Sequence, residues 1–170
     1  MSKFALELLD GSHDRKSFQC GLESVDRYLK ETARGHTEKG VSLTRVLVSA
    51  DSLKPKPILG YFALTPCVIE ATGWPAVPKG LPKNPVGAIL LGRMGVAKSM
   101  QGKSIGALLL ALARGITFDS LTATGGIGMV VDAANEELID YYRNFGFRCI
   151  SKNSLRMFLP TRSLVDTSLV

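Results

Sequence analysis

What this sequence lacks narrows it first. It has three cysteines, Cys20, Cys67 and Cys149, an odd number at wide spacing. That pattern excludes a disulfide framework and a zinc site and fits a reducing, cytoplasmic setting. Its two histidines, His13 and His36, have no second ligand at metal spacing. Both read as surface residues, and no metal is implied. No apolar run approaches the roughly 18 residues of a membrane span, so no membrane role is expected. The opening MSKFALELLD carries Glu7 and Asp10 in its apolar stretch, unlike a signal peptide. Internal repeats, low-complexity segments and an RNP motif are also missing. One long stretch lacks acid altogether: residues 71–118 hold Lys79, Lys83, Arg93, Lys98, Lys103 and Arg114, with no Asp or Glu.

What is present is an ordinary globular mixture. The 170 residues are 45% hydrophobic and 21% charged, enough for one core without staples. One domain is expected over residues 1–163, with a loose tail at 164–170. The net charge is +6, while residues 1–70 carry +1 and residues 119–170 carry −1. The excess therefore sits in the acid-free block. Such a block is either a solvated basic surface or a site for an anionic partner, a phosphorylated cofactor or a nucleic acid.

Periodicity supplies the elements. FALELL (4–9) alternates as an edge strand, and residues 10–20 read as a loop. Glu23 to Arg34 is helical, with Val25, Tyr28, Leu29 and Ala33 on one face and Gly35 and Gly40 closing the region. Leu43–Ala50 and Ile58–Ala71 make a hairpin, in which Pro66 demands a bulge or an edge position. Residues 72–85 hold four prolines and form a loop, either a connector or a surface flap. Val86–Ala97 is a continuous apolar run, which fits a strand buried on both faces. A buried helix follows over Ser104–Phe118, then a strand at Gly126–Asp132. A helix over Asn135–Phe145 is closed by Gly146. Phe147–Ser151 and Leu155–Leu159 are the last strands. The order implies a mixed α/β sandwich.

The segment Gly95–Gly106, GVAKSMQGKSIG, joins a strand to a helix. A helix N-terminus offers free N–H groups and partial positive charge, and Gly102 and Gly106 admit close approach. Lys98 and Lys103 add charge. Two phosphates compete for this loop. Gly102-Lys103-Ser104 matches the end of a Walker A loop, and the strand ending in Asp132 suits a magnesium ligand. The first glycine of that motif would fall at residue 97, which is Ala97. The alternative is the pyrophosphate of coenzyme A.

Here the chain resembles the GNAT (Gcn5-related) N-acetyltransferases. Their [QR]-x-x-G-x-[GA] loop is similar to Gln101-Gly102-Lys103-Ser104-Ile105-Gly106, with Ser104 where the family has glycine. Their second motif, an Asn followed by F/Y-Y-x-x-x-G-F, is matched by Asn135 and Tyr141-Tyr142-Arg143-Asn144-Phe145-Gly146-Phe147. Likeness to the toxin branch of the family spans nearly the whole chain. It covers Phe18-Gln19-Cys20-Gly21 through Asp26, Tyr28 and Leu29, then Thr44-Arg45, Gly60-Tyr61-Phe62 and Leu91-Gly92-Arg93-Met94-Gly95-Val96. Phe158-Leu159-Pro160-Thr161-Arg162-Ser163 closes it. Ala97 stands where that branch has Asp.

The resemblance implies a GNAT fold: a mixed central sheet of six to seven strands, about four helices, and a splayed strand pair holding acetyl-CoA. It implies transfer of acetyl from acetyl-CoA to the amino group of aminoacyl-tRNA, which blocks translation. It also implies a homodimer and a ribbon-helix-helix antitoxin as partner. Tyr142 would protonate the coenzyme A sulfur; as plain packing it would be a helix aromatic, the reading given to Tyr141. Met94, Gly95 and Val96 would offer backbone groups to pantetheine, Gln101 to Ala107 would hold the pyrophosphate, and Asn135 would touch pantetheine or cap its helix. Glu70, Asp132 and Glu136 are candidate bases by type only, and Cys67 and Cys149 read as core. Lys30, Arg34, Arg45, Lys79, Lys83 and Arg93 are the candidate RNA-facing set, each competing with a solvated surface role. The rival readings are a GNAT enzyme for a small amine or a protein amine, and a non-catalytic acyl-CoA- or nucleotide-binding regulator.

Overall fold

Among the described residues, seven strands and the helical segments form where the patterns place them, with changed boundaries, while two further two-residue strands, at 13–14 and 56–57, fall where a loop and a turn are expected. The structure is a computed structural model and describes residues 3–165. The elements are β1 (Phe4–Leu8), β2 (His13–Asp14), α1 (Glu23–Arg27), a π turn (Tyr28–Thr32) and α2 (Ala33–Glu38). Then come β3 (Leu43–Ser49), β4 (Lys56–Pro57), β5 (Gly60–Ile69), β6 (Val86–Val96) and α3 (Ile105–Thr124). The chain ends with β7 (Gly128–Asp132), α4 (Glu137–Asn144), β8 (Arg148–Cys149) and β9 (Arg156–Pro160). Seven strands form a mixed sheet in the order β1-β3-β5-β6-β7-β9-β8, and β2 pairs with β4. The chain packs as two units, Met1–Thr65 with Gly92–Ala111, and Pro66–Leu91 with Leu112–Val170.

In the first unit β3 is antiparallel to β1, from Phe4↔Ser49 to Leu8↔Arg45, and to β5, from Leu43↔Leu64 to Leu47↔Gly60. Pro66 lies past this ladder, so its missing N–H removes no bond to β3. Phe18, Val25, Leu29, Val46, Val48 and Tyr61 form the buried cluster. Tyr61 donates its hydroxyl to the Val25 carbonyl at 2.7 Å, and its ring meets Phe18 edge-on at 5.5 Å.

The first helical region runs to Glu38, beyond the expected end at Arg34. Gly35 costs about 1 kcal/mol in a helix interior, yet burial of Leu29 and Ala33 holds the helix through it. Gly40, in the left-handed region at φ 69°, ends it. Thr37 ties helix to sheet: its hydroxyl donates to the Ala33 carbonyl at 2.8 Å and accepts the Thr44 N–H at 3.1 Å. The π turn widens the helix where the Lys30 carbonyl accepts Arg15 Nη1 at 2.7 Å.

His13 is not a surface residue. Its side chain is fully buried, because the Asp10 N–H donates to Nδ1 at 3.1 Å and Nε2 meets Glu7 Oε2 at 2.8 Å. Glu7 also pairs with Lys56 Nζ at 2.6 Å. The polar ring is buried because both nitrogens are satisfied.

In the second unit β6 runs parallel to β7 from Ile89↔Met129 to Leu91↔Val131. Strand β9 is antiparallel to β7, from Gly128↔Pro160 to Asp132↔Arg156, and to the short β8. Ile69, Ala71, Ala88, Val130 and Phe158 form its core, with Trp74, Val77 and Leu81 packed against them. The proline-rich loop is thus a packed connector: Trp74 meets the Phe158 ring at 5.9 Å.

Three expectations change. Strand β6 is not buried on both faces; only Ala88, Leu91 and Gly95 are, because its ladder with β7 is short. Cys67 and Cys149 are half-buried, not core. Helix α3 continues to Thr124, which makes it long and apolar enough to cross a bilayer by length and composition. In this protein Leu109, Leu110, Ala113 and Leu121 are buried in the interior. Arg114 on the same helix is also buried, and donates to the carbonyls of Ser163 and Leu164 at 2.6 and 3.2 Å. Leu164, expected to start a loose tail, is therefore packed. Residues 166–170 of that tail lie outside the described residues.

Candidate active site

The loop between β6 and α3 is shaped by two left-handed residues. Strand β6 runs on to Val96 past its last pair with β7, and the Ala97 N–H donates to the Leu59 carbonyl at 2.9 Å. A single 3-10 turn, Lys98–Met100, leads to Gln101–Ser104, all exposed. Gly102 has φ 76° and Ser104 has φ 61°. Around Gly102 a Cβ would meet nothing within 4 Å, so the backbone conformation, not space, selects glycine there. Ser104 adopts the same region with a side chain, at a cost of about 1–2 kcal/mol. Its backbone geometry is that of a glycine, which explains the family residue at this position. The N–H groups of Ile105, Gly106 and Ala107 head α3 without intrahelical acceptors. With exposed Lys98 and Lys103 beside them, they suit a phosphate group.

The Phe18–Asp26 segment braces this loop. Gln101 Nε2 donates to the Cys20 carbonyl at 2.7 Å and to the Val96 carbonyl at 3.0 Å. The Lys98 N–H donates to the Gln19 carbonyl at 2.8 Å. Asp26 holds the segment in turn by accepting the Cys20 N–H at 2.9 Å. On β6, a Cβ at Gly95 would lie 2.8 Å from Val25 Cγ1 and 3.3 Å from Cys20 Sγ, so only glycine lets the segment close. Burial, reinforced by Asp26, pushes the Cys20 thiol up to about 11. It packs as a neutral thiol and is no nucleophile. The Gln101 side chain is spent on bracing, which leaves its backbone for a ligand.

Helix α4 carries the second motif. Asn135 Oδ1 accepts the Leu138 N–H at 3.1 Å and caps the helix, and Gly146, at φ 92°, ends it. Tyr142 is buried between the rings of Tyr141, at 5.4 Å, and Phe147, at 5.7 Å. Among the described residues no group hydrogen-bonds its hydroxyl. Burial pushes its phenol up, and Tyr141 adds to the shift, so it is protonated at neutral pH. Tyr141 packs on Phe145 at 5.1 Å, but its hydroxyl is buried without a partner. Of the candidate bases, Asp132 is committed to a two-pronged pair with Arg156 at 2.7 and 2.8 Å. Glu70 and Glu136 are exposed.

No protein-family model matches the chain. It is 28% identical to a tRNA-acetylating toxin of Mycobacterium tuberculosis over 152 residues, 89% of this chain and 88% of that protein. The crystal structure of a Tyr-to-Phe variant of KacT superposes with a TM-score of 0.86 at 28% identity, over 95% of this chain and 96% of that one. AtaT complexed with acetyl-methionyl-tRNAfMet gives 0.85 at 25% identity, over 95% and 97%. The AtaTR structure bound with acetyl-CoA gives 0.82 at 26% identity, over 95% of both chains. The chain is thus similar, over nearly its whole length, to tRNA-acetylating toxins in sequence and to KacT and AtaT in fold.

That likeness and the absence of a glycine at Ala97 both argue against the Walker-type reading of the loop. In this chain the candidate RNA-facing residues fall into separate groups. Lys79 and Lys83 are exposed on the 72–85 loop. Arg34 is ion-paired with Glu38 at 2.7 Å, and Lys30 and Arg45 are half-buried. Arg93 is exposed, with its guanidinium 5.4 Å from the Tyr28 ring centroid. Two features escaped the sequence reading. One is the bracing of the loop by Gln19 and Cys20, for which the F-x-C-G phrase was the only signal. The other is a cavity beside Arg93 lined by Tyr28 and His36, residues whose spacing of eight does not announce a pair.

Proposed function

We propose that this protein transfers acetyl from acetyl-CoA to the amino group of aminoacyl-tRNA and thereby blocks translation. The observation that carries it is the chain-long likeness to a tRNA-acetylating toxin, 28% over 152 residues. The local geometry fits acetyl-CoA. The open turn at Gly102, the first-turn amides of α3 and Lys98 and Lys103 would receive the pyrophosphate, and Met94–Val96 would pair with pantetheine along the stretch of β6 beyond its last pair with β7.

The chemistry is attack of a neutral amine on a thioester carbonyl, with loss of a thiolate. Tyr142 is the proton donor to that thiolate: its phenol is protonated, and no described group occupies its hydroxyl. Asn135 positions the start of α4 and has a second acceptor lone pair for a ligand amide. No carboxylate is needed as base: the ester-linked α-amine of aminoacyl-tRNA is only weakly basic, so it attacks neutral, releases its surplus proton to water as the amide forms, and water returns a proton to Tyr142. A cytoplasmic bacterial setting, a homodimer and neutralisation by a ribbon-helix-helix antitoxin belong to the same reading.

The test is transfer of radiolabelled acetyl from acetyl-CoA onto a pool of charged tRNAs. Wild type should label the pool and Tyr142→Phe should not, while both bind acetyl-CoA. Label appearing only on free amines or on protein would replace the acceptor, and no transfer with acetyl-CoA bound would refute the activity.

A further inference from the structure

The Asp132–Arg156 pair has no role in the reading above, yet it is built like a binding group. The two residues face each other across β7 and β9. Arg156 Nε donates to Asp132 Oδ1 at 2.7 Å, and Nη2 donates to Oδ2 at 2.8 Å. That engages one edge of the guanidinium. An arginine carries five N–H groups in a planar fork. The two on Nη1 and the second on Nη2 are left, and among the described residues none of them meets an acceptor. They form the end-on edge, whose spacing fits two oxygens of a phosphate. The side chains of Arg156 and Asp132 are 38% and 46% exposed, so a ligand can reach that edge.

The pair lies on a defined face of the second unit. Val130 on β7 and Phe158 on β9 belong to the core against which Trp74, Val77 and Leu81 of the 72–85 loop pack. Side chains alternate along a strand, with about 7 Å between residues on one face. Asp132 is two residues from Val130 and Arg156 two from Phe158, so both point to the face that the loop covers. Cys67, packed against the same core, feels both charges. The loop above holds no acid, and its Lys79 and Lys83 are exposed. This face therefore combines two mobile cations with one fixed fork.

Position selects the guest. Strand β7 runs from Asp132 straight into the turn that carries Asn135, and then into the helix that carries Tyr142. Whatever fills the fork is near the transfer chemistry. In an aminoacyl-tRNA the reacting amine hangs from the terminal ribose, and the nearest anions are the phosphates of the last nucleotides. We propose that the end-on edge of Arg156 binds a phosphate of the unpaired 3′ end of the acceptor RNA, while Lys79 and Lys83 meet phosphates further along the strand. Asp132 is a positioning residue: it holds the guanidinium plane, so little side-chain freedom is lost on binding. Exposed lysines attract a polyanion without orienting it, whereas a fixed fork sets where the strand sits relative to the amine. This rests on the aminoacyl-tRNA reading and specifies how the acceptor end is held.

The experiment measures kcat/KM for acetyl transfer to charged tRNA at several KCl concentrations, for wild type, Arg156→Gln and Arg156→Lys. Urea unfolding and acetyl-CoA binding check that each variant is folded. Arg156→Gln should lower kcat/KM by about tenfold or more, the usual worth of a hydrogen bond to a charged group, mostly through KM for tRNA. It should also flatten the plot of log kcat/KM against log salt by about 0.7, the share of one phosphate on a single strand. Arg156→Lys keeps the charge and loses the fork, so it should keep most of the salt slope and still lose most of the rate. An unchanged slope in Arg156→Gln would show that the side chain meets no phosphate and overturn the inference. Full activity in Arg156→Lys would overturn the fork. A fall in kcat alone, with slope and KM for tRNA intact, would mark a merely structural role and overturn it too. In each of these cases the activity stands. Absence of transfer by wild type to any charged tRNA, with acetyl-CoA bound, would overturn the aminoacyl-tRNA reading and this inference with it.

Discussion

Ser104 offers the sharpest test of the loop. It sits at φ 61°, exposed, in a turn whose neighbour Gly102 is also left-handed. A non-glycine residue there costs about 1–2 kcal/mol. Replacement by glycine removes that cost but adds about 0.5–1 kcal/mol of unfolded-state freedom. Ser104→Gly should therefore stabilise the protein by about 0.5–1 kcal/mol. In a chain of this size that raises Tm by about 1–4 °C. Among the described residues the Ser104 side chain makes no hydrogen bond, so nothing offsets the gain. Ser104→Val, β-branched and worse in this region, should destabilise by about 1 kcal/mol or more. Urea unfolding read by circular dichroism, with m unchanged, measures both. If glycine lowers the midpoint, or valine leaves it alone, the left-handed strain assigned to this position is wrong. The same pair of variants in an acetyl-CoA titration should show tighter binding for glycine and weaker for valine, since the strained turn presents the α3 amides.

Other consequences are equally measurable. Gln101→Ala removes two braces of about 0.5–1.5 kcal/mol each. It should raise KM for acetyl-CoA several-fold with a smaller change in kcat, and an equal fall in both would contradict a bracing role. Gly95→Ala forces a Cβ to 2.8 Å from Val25 Cγ1. It should cost about 1–3 kcal/mol, seen as a lowered unfolding midpoint; an unchanged midpoint would show that the Phe18–Asp26 segment does not close on β6. Because burial raises the Tyr142 phenol above its ordinary value of 10.0, the acid form persists to high pH. The alkaline fall in acetyl transfer due to this group should therefore lie above pH 10, and a fall near pH 9 with the fold intact would point to another acid. Glu7 is held below its ordinary 4.5 by hydrogen bonds from Lys56 and His13. Its contribution is present above about pH 4.5 and lost as pH falls through the lowered value; Glu7→Gln should flatten that acid limb, and an unchanged limb would argue against the pairing.

Much of this protein is set locally and can be read from the chain. The period of Val25, Leu29 and Ala33 makes a helix, and the alternation of LTRVLVS makes a strand. Gly146 stops α4, and the strand–loop–helix junction at 95–106 presents free helix-start amides whatever surrounds it. These depend on neighbours within a few residues, where backbone sterics and periodicity act. Burial and pairing depend on what arrives from elsewhere. His13 is interior because Glu7 and the Asp10 amide meet both its nitrogens. Strand β6 is half-open because β7 pairs with only three of its residues, a matter of ladder length that an apolar run does not encode. Gln101 braces the loop instead of facing a ligand because the Cys20 carbonyl, far away in sequence, comes within 2.7 Å. Asp132 ceases to be a free carboxylate once Arg156 pairs with it across two strands. Tertiary structure decided these because desolvation and hydrogen-bond satisfaction are settled only when distant groups come together.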